Sequence, residues 1–291
     1  MNSCLGAQEV DYLTRLKAEF DVLRVGKDSL LQLLYESELA ESVYNSNAIE
    51  NSTLTILETE KILLEMDLNR KVSVREAYEA KNLARVIEYL SKIDSARGLD
   101  NELMLFLHQM LLFNIEESIA GRFRRQGEYV KVGFYLAPDP LQIEALLGSA
   151  CSYYLTKEEF IVDKVARFHL NFEHIHPFVD GNGRIGRVLI NYQLMNYGYP
   201  PVIIRNKDKE NYYECFRAYD SKKEIGKMGK LLAFALKESL HKRLAYLKGL
   251  RVVDLKEYSL SASRSFNALL NSAKIQTIPA FREKGVWRIG M

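Results

Sequence analysis

His174-Ile-His-Pro-Phe-Val-Asp-Gly-Asn-Gly-Arg-Ile-Gly-Arg187 (HIHPFVDGNGRIGR) gathers histidine, an acid, three glycines, an amide and two arginines within fourteen positions. Ahead of it, Ile161, Val165, Phe168, Phe172 and Ile175 recur at helical spacing until Pro177 stops the helix. Behind it, Ile185, Val188, Leu189, Tyr192 and Met195 restart a helix that Gly198 ends. The stretch is therefore a tight loop between two helices. Glycines let a backbone approach a ligand closely, and the first amides of a helix are free donors at the positive end of its dipole. Together they make an anion site. Gly181, Gly183 and Gly186, with Val202-Ile203-Ile204 and Asp208 further on, imitate a dinucleotide fingerprint. That fingerprint must follow a buried strand, whereas here a long amphipathic helix comes first. A P-loop fails for want of Gly-Lys-Ser/Thr at the required distance.

Arg184 and Arg187 are three apart, hence on one helical face, and can grip successive phosphates. Asp180 is an acid beside phosphates, a placement that suits a bridging Mg²⁺. His176 is the nearby group able to accept a proton near neutral pH. His169, Glu173 and His174 invite a metal reading, but the apolar residues around them favour a packed helix.

The run from His176 to Arg187 resembles the signature of the Fic (Fido) family, HPFx(D/E)GNGRxxR, with every fixed position matched. The likeness extends over roughly residues 98–240, where GYPPVIIRN and NYYECF are similar to the family's following segments. It implies an all-α, mainly helical Fic/Fido fold whose small β-hairpin flap holds Val130, Lys131, Val132 and Gly133. It implies transfer of AMP from ATP to a Ser, Thr or Tyr hydroxyl of a target protein, self-modification staying open. His176 would deprotonate that hydroxyl and Asp180 would hold Mg²⁺, for which Mn²⁺ can substitute. The amides of Gly181 to Gly183, with Asn182, would cradle the phosphates. Arg184 and Arg187 would take the β- and γ-phosphates, Phe178 would anchor the loop, and Tyr212 and Tyr213 would lie near the adenine. Asp220 stands where relatives often carry Asn, which leaves the choice of base open.

Ser46-Asn-Ala-Ile-Glu-Asn51 (SNAIEN) reads by itself as a helix end with Asn as a left-handed cap. It also resembles the Fic inhibitory motif (S/T)xxxE(G/N). That likeness implies an inhibitory helix around 38–51 bearing Ser46, Glu50 and Asn51, with Glu50 paired to Arg187 in the place of the γ-phosphate. Two alternatives stay open: removal of AMP by water positioned at Glu50, and a DNA-binding regulator whose Fic domain senses nucleotide.

The rest of the chain frames this site. At 291 residues, 47% hydrophobic and 27% charged, it can bury a large core, and a net charge of +2 gives no global field for nucleic acid or membrane. Cys4, Cys151 and Cys215 are odd in number and widely spaced, which fits a reducing compartment rather than a disulfide framework. With no signal-like N-terminus and no apolar run of the ~20 residues a bilayer needs, the expected location is the cytoplasm. Helical patterns fill residues 8–50, with Asp28 or Ser29 as a cap, then a helix introduced by Thr55, one over 73–95 with a Ser73/Glu76 capping box, and one over 101–113. Tyr129, Lys131 and Gly133 alternate with Val130, Val132 and Phe134, which predicts a short hairpin. The expected division is a helical region over 1–97, the Fic domain over 98–240 and a basic module over 241–291. Within the module, IPAFREKGVWRI resembles the wing of an excisionase-type winged helix-turn-helix, with Trp287 in a small core. DNA contact through it and a homodimer stay open.

Overall fold

The computed structural model describes residues 3–66, 68, 71–93, 97–133 and 135–291. The first helices are α1 (Ala7–Leu23), α2 (Asp28–Ile49), α3 (Ile56–Leu63), α4 (Val74–Lys92) and α5 (Asn101–Leu112). A hairpin of β1 (Lys131–Val132) and β2 (Tyr135–Leu136) follows, then α6 (Ile143–Thr156), α7 (Ile161–Ile175), α8 (Asn182–Asn196), α9 (Lys209–Lys222) and α10 (Gly226–Leu247). The chain closes with β3 (Val252–Asp254), α11 (Leu255–Ser261), α12 (Phe266–Lys274), β4 (Ala280–Glu283) and β5 (Val286–Gly290). The fold is mainly helical with a small hairpin, as the sequence implies.

The paired helices α7 and α8 carry the centre of the molecule because each is buried on more than one side. Phe168, Phe172, Ile185 and Leu189 pack with Leu83, Leu103, Leu107 and Leu147 in one core. Val162, Ala166, Leu170 and Ile190 pack with Leu13, Phe20, Tyr212 and Leu236 in a second. A helix apolar on both faces is fixed from both sides, so the loop joining α7 to α8 stands on a rigid base. The helix α2 lies across both cores, placing Val43 in the first and Ile49 in the second.

Local signals set the helix ends unevenly. Thr55 and Glu58 form the complete capping box of α3. Ser73 accepts the Glu76 N–H at 3.1 Å and its hydroxyl lies 3.0 Å from Glu76 Oε2, but the other carboxylate oxygen accepts the Thr53 N–H at 2.8 Å and not the Ser73 N–H. It thereby pins the segment just after α2. Neither Asp28 nor Ser29 caps α2. Its N-cap is Lys27, with no side-chain bond, directly after Gly26 in the left-handed region. The α4 pattern expected to reach residue 95 ends at Lys92, and residues 94 and 95 lie outside those described. Phe134 of the expected alternation lies outside them as well.

In the C-terminal module β3, β5 and β4 form one antiparallel sheet, in that order, over α11 and α12. Val253, Leu255, Leu269, Ala273, Ala280 and Ile289 make its core, with Trp287 packed at the edge beneath Arg282. The expected boundary at 240/241 falls inside α10, which continues to Leu247. The turn between β4 and β5, the tip of the expected wing, is not free: its Lys284 and Gly285 amides donate to Glu41 of α2 at 2.9 and 3.1 Å. No helix among the described residues is long and apolar enough to cross a membrane.

Glu41 belongs to a buried network of two acids and two arginines. Arg205 pairs with Glu41 and, at 3.0 Å, with Glu238. Glu238 also pairs with Arg282 at 2.7 Å, and all four residues are at most 6% exposed. Charges balance, so removing one acid leaves a guanidinium uncompensated. Glu41→Ala is expected to cost about 3–5 kcal/mol and lower the melting temperature by roughly 10 °C in a thermal scan. A shift below about 2 °C would mean that solvent reaches the network.

Candidate active site

The loop closing α7 onto α8 is held from inside. His176 ends α7 in the left-handed conformation (φ 50°), and Gly181 begins α8 with φ 84°. Glycine is required at 181 on two counts: its φ, and Leu111 only 3.0 Å from where a Cβ would stand. Phe178 is fully buried and stacks on His108, with ring centroids 3.8 Å apart. Asn182 donates to the Phe178 carbonyl at 2.8 Å and accepts the Phe178 N–H at 2.9 Å. Its side chain therefore braces the loop rather than facing a ligand. Arg124 adds a further brace, donating to the His176 carbonyl at 2.8 Å.

The first intrahelical bond of α8 runs from the Ile185 N–H to the Gly181 carbonyl. The amides of Asn182, Gly183 and Arg184 precede it and point out of the helix end. His176 stands beside them with its Nδ1 3.3 Å from the Glu173 carbonyl. A carbonyl only accepts, so Nδ1 holds the proton and Nε2 keeps its lone pair. Burial pushes the His176 pKa down to about 4, the bond to Glu173 opposing. The imidazole is neutral at physiological pH, the form a proton acceptor needs.

Charge around the loop is already paired. Asp180 accepts from the Gly181 N–H at 2.6 Å and pairs with Arg184 at 3.1 Å and Arg75 at 2.9 Å. Arg184 also lies 3.4 Å from Glu79, which pairs with Arg75 at 3.1 Å. Arg75 and Glu79 of α4 carry no sequence signal. They reach the loop only through helix packing.

The second arginine meets the SNAIEN segment. Arg187 donates to the Ser46 hydroxyl and carbonyl, each at 2.9 Å, and pairs with Glu50 at 2.8 Å. Asn51 takes φ 68°, the left-handed cap the sequence suggests, and accepts from Lys209 at 2.7 Å. Glu50 Oε1 sits so close to Gly183 that any Cβ there would collide with it. A carboxylate thus occupies the space beside Gly183 at the start of α8.

Beside it opens a cavity of about 660 Å³, a size suited to a small-molecule ligand. His176, Gly183, Arg187, Glu50, Val132, Gly133, Tyr212, Tyr213 and Asp220 all line it, so the structure brings these expected residues together. Val130, Lys131, Asp180, Gly181, Asn182 and Arg184 are not among its lining residues. Tyr212 is fully buried, 2.8 Å from His169 Nε2, and forms the floor. Tyr213 reaches the Ile49 carbonyl at 3.2 Å, and Asp220 pairs with His174 at 2.9 Å. Among the described residues no cluster of His, Cys, Asp and Glu forms a metal site. Sequence reasoning weighs Glu173 only as a metal ligand and sets it aside, whereas it lines the cavity with a buried, unpartnered carboxyl oxygen.

Helix, glycine loop, helix, with a flap on one side and free amides at the loop, is the arrangement of a Fic domain. Residues 98–194 match the Fic/DOC family model, so the chain contains a Fic domain. It is 32% identical over 179 residues to the protein adenylyltransferase Fic of Nematostella vectensis, covering 60% of this chain and 42% of that one. Against the protein adenylyltransferase Fic of Aedes aegypti it is 31% identical over 221 residues, covering 72% and 44%. The chain thus spans less than half the length of these curated relatives. A Fic domain-containing signaling protein from Bacteroides thetaiotaomicron superposes with a TM-score of 0.73 at 25% identity, over 81% of this chain and 97% of that one. A Fic family protein from Desulfovibrio desulfuricans shares the fold over 99% of this chain, with a TM-score of 0.70 at 19% identity.

Proposed function

We propose that the protein is an adenylyltransferase that moves AMP from ATP to a hydroxyl of a target protein or of itself, and that Glu50 restrains it. One observation carries the reading: a carboxylate sits on Gly183 and Arg187, filling a site built for an anion, beside a neutral imidazole. The names of the curated relatives, protein adenylyltransferase Fic, support the same chemistry.

In this reading Arg187 exchanges Glu50 for the γ-phosphate, while the amides of Asn182, Gly183 and Arg184 hold the phosphate charge that grows in the transition state. His176 Nε2 takes the proton of the acceptor hydroxyl as its oxygen attacks the α-phosphorus. The bond from the α-phosphorus to the bridging oxygen breaks, and pyrophosphate leaves. Arg184 and Asn182 support the loop from within. The cavity bounded by Tyr213, Val132 and Gly133 receives the base and sugar. Asp220, paired with His174, stands at its wall.

Asp180 fits Mg²⁺, since one carboxylate beside substrate phosphates is the usual protein share of such a site, and its Arg75 partner is 56% exposed and displaceable. When bound, the ion supplies neutralisation of phosphate charge. Asp180→Asn and EDTA are therefore each expected to lower transfer by at least about 10²-fold. The check is intact-mass spectrometry after incubation with ATP, reading the mass of one adenylyl group on the protein or on an added acceptor. Undiminished transfer in EDTA would remove the metal from the account. Transfer of any group other than AMP would overturn the function.

The Glu50 carboxylate at the nest also supports a second reading, removal of AMP by a water it positions. Release of AMP from a modified protein, lost in Glu50→Gly, would establish it. The DNA-binding regulator has less support, because the turn of the wing is engaged with Glu41.

A further inference from the structure

Two carboxyls act on Arg187, those of Glu50 and Glu173, and it pairs with Glu50. On α8 two glycines stand one turn apart, Gly183 and Gly186, and each has a carboxyl oxygen where a side chain would begin. A Cβ at Gly183 would collide with Glu50 Oε1, and one at Gly186 with Glu173 Oε1. Glu50 completes its pair with Arg187 at 2.8 Å. Glu173 is 8% exposed and lines the same cavity, and its Oε1 has no hydrogen-bond partner among the described residues. A buried carboxylate without a partner is strongly unfavourable. A protonated carboxyl in the same place is tolerated.

We propose that Glu173 is the reserve counter-ion of Arg187: when Glu50 is withdrawn, Glu173 releases its proton and takes the guanidinium until a phosphate replaces it. The phosphate step rests on the reading of the cavity as a nucleotide site. The proton release does not.

The direction follows from the neighbours. Burial raises the Glu173 pKa to about 8, with Arg187 pulling it down and Glu50 pushing it up. Withdrawing Glu50 removes the repelling charge and frees the attracting one, so both changes favour ionisation. A phosphate arriving at Arg187 reverses both, and the proton returns. Nucleotide binding to the released protein is therefore coupled to proton uptake, and its affinity falls as pH rises through the pKa of Glu173.

The other groups facing Glu173 do not mimic this. On its own helix, His169 is held at about 3 and His176 at about 4, both chiefly by burial. Tyr212 on α9 and Tyr135 on the flap are raised above the tyrosine range by burial. His174 and Asp220 pair with each other at the outer wall. Arg187 on α8 stays charged, and Glu50 is absent in the two variants compared by calorimetry.

Two measurements test the proposal. The first uses nucleotide-free protein and reads the infrared band of a buried protonated carboxyl at pH 7. The wild type is expected to show a band that Glu173→Gln removes, and Glu50→Gly is expected to lose it too, through ionisation. A band that persists unchanged in Glu50→Gly would overturn the proposal whatever the cavity binds. The second is calorimetry of ATP with Mg²⁺ against Glu50→Gly between pH 7 and pH 9, in two buffers of different ionisation enthalpy. Proton uptake approaching one per ATP is expected near pH 7, with affinity falling by up to roughly tenfold per pH unit between the Glu173 pKa of the free variant and that of the ATP complex, and levelling off above the latter. Glu50→Gly/Glu173→Gln is expected to lose both effects, and Glu173→Met replaces Gln should the amide unfold the helix pair. Equal slopes and proton counts with and without Glu173 would also overturn it. Absence of ATP binding in every folded variant would instead refute the nucleotide reading and leave the infrared result to decide.

Discussion

Glu50→Gly is expected to raise AMP transfer by roughly 30- to 100-fold over the wild type, most readily seen as self-modification. The estimate follows from the pair it removes. Arg187 is 6% exposed but Glu50 is 38% exposed, so the contact falls between surface pairs, worth under about 1 kcal/mol, and buried pairs, whose breaking costs about 3–5 kcal/mol. A preference of about 2–3 kcal/mol for the inhibited arrangement corresponds to that range of rates, since each 1.4 kcal/mol is about tenfold in population. Glu50→Gln separates charge from bulk. Because Glu50 Oε1 lies against Gly183 as well as Arg187, a neutral side chain of equal size still blocks the amides. Glu50→Gln is therefore expected to stay well below Glu50→Gly in rate. Equal rates for the two variants would assign the restraint to charge alone.

His176→Ala is expected to lower transfer by about 10²–10⁴-fold, the usual loss for a general base, and to leave ATP affinity within about threefold. The separation follows from the geometry. In the proposed reading phosphate grip resides in the α8 amides and Arg187, whereas His176 contributes a lone pair at Nε2. The left-handed backbone at 176 (φ 50°) is braced by Arg124 through the carbonyl, which the substitution retains. A parallel loss of ATP binding, read by calorimetry, would show that the histidine shapes the loop instead.

The loop was legible because its information is local. Glycines, a proline and helical periodicity on both sides specify a helix, a tight turn and a helix start without any distant contact. The same holds for the Thr55 cap and the left-handed Asn51. Glu50 against Arg187 was legible only through the resemblance of two motifs more than a hundred residues apart. No periodicity in either stretch indicates the pairing. What sequence reasoning missed arrives through packing. Arg75 and Glu79 reach Asp180 and Arg184 because α4 lies beside α8, and on α4 they read as ordinary surface charges. Asn182 looked like a ligand group, yet its amide matches the Phe178 backbone in both directions. Glu173 looked like a metal ligand at most, and otherwise like part of a packed helix, but α7 is buried on both faces and carries it to the cavity. The clamp of the β4–β5 turn on Glu41, with its arginine network, joins residues from four distant segments.

The most direct test of the central claim, that Glu50 holds the place of a phosphate on a working adenylyltransferase, is a single side-by-side measurement. Wild type, Glu50→Gly, His176→Ala and Glu50→Gly/His176→Ala are incubated with ATP and Mg²⁺, and their self-modification is followed by intact-mass spectrometry. The expected result is rapid gain of one or more adenylyl groups by Glu50→Gly, slow gain by the wild type, and none by either protein lacking His176. A Glu50→Gly protein that is folded and no faster than the wild type, on itself and on an added acceptor, would contradict the account and reduce SNAIEN to the end of a helix.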